Sequence, residues 1–122
     1  MYELKVIGRF AAAHNLTNYE GKCEALHGHN WTVEAFVVSD RLDEAGMALD
    51  FGILKKHLNA ALDELDHKYL NELPFFAGVS PSSERIAKFV FERLLRTVGD
   101  GPARVTKVSA WESENSCASY IP

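Results

Sequence analysis

Two histidines separated by one residue, His27 and His29 in the stretch CEALHGHNW, have the type and spacing to do chemistry together. On a β-strand, residues two apart project to the same side, so both imidazoles would face one partner. A divalent metal suits them: zinc accepts imidazole nitrogen and, where it is catalytic, takes three protein ligands and leaves a position for water. The third ligand has to come from another element. His14, at the end of the first expected strand, is the candidate, because two antiparallel strands can bring their ends together. Taken alone, an H-x-H pair on a strand is also what two polar surface residues look like. Cys23 lies four residues before His27 and has three readings. It could close a structural Cys-His₃ site, stand beside an open three-histidine site as a nucleophile or base, or be a small loop residue without a role. Spacing does not choose among them.

A second acid/base candidate is Asp66-His67 in LDHKYL. A carboxylate can hold a histidine in one tautomer and raise its basicity. The simpler account is a histidine at a helix C-terminus, where the macrodipole favours it. Glu112 in AWESEN could anchor a ligand that offers two N–H donors, or it could be an ordinary strand residue facing solvent. Glu84 opens the second expected helix, where a carboxylate is favoured whatever its function. Trp31 and Trp111 suit core or interface packing.

These residues need elements to position them. Between Tyr2 and Phe10 the residues Tyr2, Leu4, Val6 and Phe10 alternate with Glu3, Lys5 and Arg9, the period of a half-buried strand that continues to His14. NLTNYEGK reads as a loop. His27 to Ser39 is rich in β-branched and aromatic residues and reads as a second strand. Asp50 is a good N-cap for a helix carrying Phe51, Leu54, Leu58, Leu62 and Leu65 at helical spacing and ending near Asp66. Ser80 followed by Pro81 predicts the start of a second helix with the stripe Ile86, Phe89, Val90 and Leu94, and Gly99 suits its C′ position. ARVTKVSAW and CASYI read as two closing strands. The order ββααββ predicts an α+β fold: an antiparallel sheet with helices on one face, in one domain spanning 1–122.

The 122 residues suit a single core. The net charge of −4 argues against a general nucleic-acid surface but leaves room for a local anion site. Two cysteines are too few for a disulfide framework. The N-terminus lacks the apolar core of a signal peptide, and no apolar run is long enough to span a membrane. A soluble, cytoplasmic protein with free thiols is the expectation.

Taken in order, FAAAH at 10–14, C-x-x-x-H-G-H-N at 23–30, LDFGILK at 49–55, LDHKYLN at 65–71, SPSSE at 80–84 and WES at 111–113 resemble the motifs of the 6-pyruvoyltetrahydropterin synthase superfamily over nearly the whole chain. The resemblance implies the tunnelling fold (T-fold), in which each subunit supplies a four-stranded antiparallel sheet with two helices on one face. It also implies that three subunits close a twelve-stranded barrel, that two trimers commonly stack, and that active sites lie at subunit interfaces. It places His14, His27 and His29 at the zinc-ligand positions and Cys23 at that of the catalytic cysteine. Asp66 and His67 take the positions of its partner dyad, Glu112 that of the carboxylate gripping the pterin edge, and Glu84 that of another substrate-side glutamate. The implied substrate is 7,8-dihydroneopterin triphosphate. One branch of the superfamily makes a pyruvoyl product. The other releases acetaldehyde and gives 6-carboxytetrahydropterin on the way to queuosine. The three residues between Cys23 and His27 resemble the carboxy branch, whereas FFAGVS and the Glu112-Ser113 pair resemble the pyruvoyl enzymes. The motif P-T-x-E appears as Pro81-Ser82-Ser83-Glu84, which keeps the hydroxyl. Outside the superfamily, a non-catalytic zinc-stabilised binding module would use Cys23 as a fourth ligand and unfold on chelation.

Overall fold

Strand β1, Tyr2–His14, follows its alternation to the end. Val6, Gly8, Phe10, Ala12 and His14 are buried on one face, and Lys5, Ile7 and Arg9 are exposed on the other. The computed structural model describes residues 1–18 and 24–122. β1 pairs along its whole length with antiparallel β2, His27–Ser39, so that Tyr2 lies opposite Ser39 and His14 opposite His27. β3, Arg104–Ser113, and β4, Ser116–Tyr120, complete an antiparallel sheet of order β1-β2-β3-β4. Between β2 and β3 the chain forms α1, Phe51–Asp63, and α2, Ser83–Val98. α1 packs on β1, and α2 packs on β3 and β4. The architecture is the expected ββααββ arrangement, with the core between one sheet face and two helices.

Asp50 caps α1 as its position suggested: Gly52 N–H donates to its Oδ1 at 2.6 Å. Leu54, Leu58, Leu62 and Leu65 are buried under the helix, each removal of such a side chain from water being worth about 1.5–3 kcal/mol. The stripe begins later than expected, because Phe51 is 54% exposed beside a surface groove. α1 also stops at Asp63, before the expected end near Asp66, and this frees residues 66–69 to run along the outer edge of β1. Gly8 lies beneath α1. A Cβ there would come within 2.7 Å of Leu62 Cδ1 and 3.2 Å of Leu58 Cδ2, so only glycine lets the helix settle this close.

The N-cap of α2 is Ser82, where Ser80 was expected. Arg85 N–H donates to Ser82 Oγ at 3.3 Å. Ser80 is used elsewhere: its hydroxyl accepts from Thr17 N–H at 2.7 Å and donates to Thr17 O at 2.9 Å. That pair ties the approach to α2 onto the chain just beyond β1. Ile86, Phe89, Val90 and Leu94 are buried as their spacing predicts, and Gly99 closes the helix with a φ of 75°. Among the described residues no helix is long and apolar enough to cross a membrane.

Candidate metal centre

The antiparallel register makes His14 and His27 a directly opposed cross-strand pair, with Ala12 opposite His29. Opposed residues share a face, and His29 lies two residues beyond His27, so all three imidazoles project to the helix-covered side of the sheet. Trp31 continues that row as their floor. It stacks on Phe10 at 5.1 Å between ring centres and meets the rings of His14 and His29 edge-on at 5.0 and 5.2 Å. The fully buried Trp31 therefore limits how far the imidazoles can turn.

Hydrogen bonds set the tautomers. His14 Nδ1–H donates to the Pro81 carbonyl at 2.8 Å, and His27 Nδ1–H to the Ala25 carbonyl at 2.9 Å. A carbonyl only accepts, so each Nδ1 carries the hydrogen and each neutral ring presents an Nε2 lone pair. Those two Nε2 atoms lie 3.1 Å apart. Two lone pairs at that distance repel unless a proton or a cation lies between them. Nε2 of His29 is buried and makes no hydrogen bond among the described residues. It is 2.8 Å from Glu112 Oε1, but a close approach without aligned N–H geometry leaves the nitrogen unsatisfied. Burial pushes the pKa of His29 down and outweighs the Glu112 carboxylate that raises it, with His14 and His27 adding to the fall. The neutral ring is thus favoured there, and a neutral ring is the form that binds a metal.

Glu112 completes the group. One donor atom each from His14, His27, His29 and Glu112 lie within 4.8 Å of one another. Glu112 occupies an irregularity in the β3–β4 ladder, between the pairs Trp111–Cys117 and Ser113–Ser116. Such a bulge re-aims a side chain, and here Oε1 comes 2.8 Å from His29 Nε2 and 3.8 Å from His14 Nε2. Three imidazoles and a carboxylate, tautomers fixed by carbonyls and one buried nitrogen left without a partner, fit a divalent metal such as zinc. The donor set could hold one, with His14, His27 and His29 as the nitrogen ligands. The closeness of Glu112 to the histidines was missed in the sequence. The signal for it is the register of β2 on β3, which puts Thr32 opposite Trp111 and so sets residue 112 at the histidine end of the sheet.

Asp66 and His67 form a second group at the outer edge of β1. His67 Nδ1 is 2.9 Å from Asp66 Oδ2, and Ala11 N–H donates to Asp66 Oδ1 at 2.9 Å. The Ala11 N–H bond, followed by that from His67, holds the Asp66 carboxyl below its ordinary pKa. His67 has a φ of +57° and is 82% exposed at its side chain. A non-glycine residue there is costly and persists when its surroundings fix it. The backbone hydrogen bonds His67 N to Ala11 O and Ala13 N to Lys68 O do so. Among the described residues no hydrogen bond or ion pair joins this dyad to the histidine cluster. A cleft of about 690 Å³ runs past both, lined by Ala11–Ala13, Gly28, His29, Asn30 and residues 67–69. Glu84 lies in the first turn of α2, exposed, and shares a smaller 170 Å³ pocket with Glu112 and Cys117. Cys23, expected beside the metal, lies outside the described residues.

The comparisons with known proteins fit this geometry. The family model described as 6-pyruvoyl tetrahydropterin synthase matches residues 3–122. A Synechocystis protein named 6-carboxy-5,6,7,8-tetrahydropterin synthase is 40% identical over 92% of this chain and 87% of its own. The human 6-pyruvoyl tetrahydrobiopterin synthase is 32% identical over 82% of this chain and 70% of its own. The solved structure of 6-pyruvoyl tetrahydropterin synthase from Caenorhabditis elegans superposes with a TM-score of 0.83 at 25% identity, covering 99% of this chain and 95% of that one.

Proposed function

The chain belongs to the 6-pyruvoyl tetrahydropterin synthase family, and from that premise we propose that it is a zinc-dependent 6-carboxy-5,6,7,8-tetrahydropterin synthase. Its reaction converts 7,8-dihydroneopterin triphosphate and one water to 6-carboxy-5,6,7,8-tetrahydropterin, acetaldehyde and triphosphate, a step toward queuosine. The likeness to the Synechocystis enzyme of that name, at 40% identity over 92% of the chain, carries this reading. The three-residue spacing from Cys23 to His27 supports it.

In this reading His14, His27 and His29 hold zinc, which when bound acts as a Lewis acid and makes protons on the carbons beside the substrate hydroxyls more acidic. The thiolate of Cys23 takes a proton from the substrate side chain. The Asp66–His67 pair relays a proton: Asp66 fixes the ring through Nδ1, so Nε2 faces the reaction. Glu112 accepts two N–H groups from the pterin edge, a bidentate contact that fixes its orientation. Glu84, in the pocket it shares with Glu112, belongs to the substrate side. Because the His67 side chain is 82% exposed beside β1 and, among the described residues, no hydrogen bond or ion pair joins it to the histidine cluster, the reading places the complete site between subunits of a homo-oligomer, a trimer or a dimer of trimers.

The test is product identity. Zinc-loaded protein incubated with 7,8-dihydroneopterin triphosphate should give the carboxy pterin by mass spectrometry, with one acetaldehyde for each triphosphate. A pyruvoyl pterin without acetaldehyde would move the chain to the other branch, the reading favoured by its 32% identity with the human enzyme. No consumption of substrate by zinc-loaded protein would leave a non-catalytic zinc-stabilised pterin-binding module.

A further inference from the structure

His14 ends β1, and the chain that follows it leaves the sheet. Residues 15–17 therefore carry backbone N–H and C=O groups with no strand to pair with, and half-buried groups of this kind need partners. Each of the three is met by one residue that both accepts from its N–H and donates to its C=O. Asn15 N–H donates to Asn71 Oδ1 at 3.0 Å, and Asn71 Nδ2 donates back to Asn15 O at 2.8 Å. Leu16 N–H donates to Glu24 Oε1 at 3.1 Å, and Glu24 N–H donates back to Leu16 O at 2.9 Å. Thr17 N–H donates to Ser80 Oγ, which donates back to Thr17 O. Three consecutive residues are thus held by three separate segments: the stretch along the edge of β1, the approach to β2 and the approach to α2. A reciprocal pair of hydrogen bonds fixes rotation as well as distance, so residues 15–17 form a short strut.

We propose that this strut registers the metal ligand His14 against the other reacting groups, and that Ser80, Glu24 and Asn71 are its positioning residues. The inference rests on the pterin-synthase reading above and extends it to residues behind the site. Ser80 acts on the metal side. It precedes Pro81, whose carbonyl accepts from His14 Nδ1–H at 2.8 Å, so the hydroxyl that grips Thr17 also sets the carbonyl that fixes the His14 ring. Metal ligands owe their orientation to such outer contacts, and losing one commonly costs about 10–100-fold in affinity or activity. Glu24 acts on the thiol side. It follows Cys23 in the chain, and its bonds to Leu16 tie the start of the β2 approach to the residues just past His14. Asn71 is the anchor. It follows Lys68 and Tyr69, which are stitched to Ala13, and the Tyr69 hydroxyl donates to Asn15 Oδ1 at 2.6 Å. Among the described residues no hydrogen bond joins Asn71 to a histidine, so its influence on the site passes through the strut.

The experiment uses the full chain, with each variant first matched to wild type by circular dichroism. Zinc affinity is read by competition with a chromogenic chelator, and ligand geometry by the visible absorption of the cobalt-substituted protein. Ser80→Ala should weaken zinc binding by about tenfold and shift the cobalt bands, and Ser80→Thr, which keeps the hydroxyl, should restore both. Thr17→Val leaves both backbone groups of the strut in place and should match wild type. Glu24→Ala should lower kcat by about tenfold or more while KM and zinc affinity hold, since a small misplacement of a reacting group is costly. Glu24→Gln, whose amide oxygen still accepts from Leu16 N–H, should recover that loss. Asn71→Ala should lower both zinc affinity and kcat. If one truncation fails to fold, the other two carry the test. Wild-type zinc affinity and cobalt spectrum in Ser80→Ala or Asn71→Ala, full turnover by Glu24→Ala, or a Thr17→Val loss equal to that of Ser80→Ala overturns the strut. A wild-type chain that binds zinc and leaves 7,8-dihydroneopterin triphosphate untouched overturns the reading of the reaction, and the zinc and cobalt measurements then decide the strut by themselves.

Discussion

His14 and His27 stand directly opposite each other at the end of the β1–β2 ladder, their Nε2 atoms 3.1 Å apart and both Nδ1 atoms bound to carbonyl oxygens. Neither ring can turn its hydrogen toward the other without giving up a hydrogen bond worth about 0.5–1.5 kcal/mol. The pair is arranged as ligands are, and tetrahedral zinc with bonds of about 2.0–2.1 Å would set such nitrogens roughly 3.4 Å apart.

Zinc should therefore bind through histidine. Replacing His14, His27 or His29 with alanine should take the metal content from roughly one zinc per chain to near zero by elemental analysis after dialysis. Retention of full zinc by His14→Ala would exclude it as a ligand.

Cys23→Ala separates a catalytic thiol from a structural one. The variant should keep its zinc and its melting temperature and lose turnover by at least about a hundredfold, the scale of a lost proton-transfer group. Loss of zinc or of the fold would make Cys23 a ligand, as a closed binding module requires.

Glu112 lies within 2.8 Å of a zinc-ligand candidate, yet its expected work is on the pterin. Glu112→Gln keeps the shape and removes the charge. Zinc content should be unchanged while kcat/KM falls by about tenfold to a thousandfold, since a charge-assisted hydrogen bond is worth about 1.5–3 kcal/mol or more when its partner is left buried. Zinc lost along with activity would show a metal-ligating carboxylate.

The Asp66 dyad has a pH signature. Its carboxyl is held below the ordinary value, first by Ala11 N–H and then by His67. A depressed carboxylate contributes stability above the unfolded pKa, near 4, and loses it as pH falls through the lower folded value. The Ala11 amide resonance should consequently stay in place at pH 5 and titrate with a midpoint below about 4. Asp66→Asn should abolish that titration. A midpoint at or above the ordinary carboxylate value would contradict the bond.

Beneath α1, Gly8→Ala should destabilise the fold by about 1–3 kcal/mol in denaturant unfolding, the usual cost of overpacking. The added Cβ would meet Leu62 Cδ1 at 2.7 Å. Leu62→Ala in the same chain should recover part of that loss, a coupling that a double-mutant cycle would measure. Simple additivity would mean that Gly8 and Leu62 do not press on each other.

The sequence by itself determined the elements and the face that the histidines share. Alternation along Tyr2–His14 and His27–Ser39 set the strand faces, and the face on which His27 and His29 meet followed from the two-residue period alone. Helical spacing found the buried leucines of α1. These are local properties, in which each residue is placed by its own neighbours in the chain. What only the tertiary structure decided involves partners far apart in sequence. Ser80 looks like a helix cap, but Thr17, 63 residues away, takes its hydroxyl, and Ser82 caps instead. Pro81 fixes the His14 tautomer across 67 residues. Glu112 reaches the histidines because a ladder irregularity turns it there. His67 reads in sequence as the end of a helix, yet its place is set by Ala11, on the strand that the chain rejoins after leaving α1. Period fixes which way a side chain faces, but register and the competition for hydrogen-bond donors fix what it meets, and both are settled only when the sheet and helices close on one another.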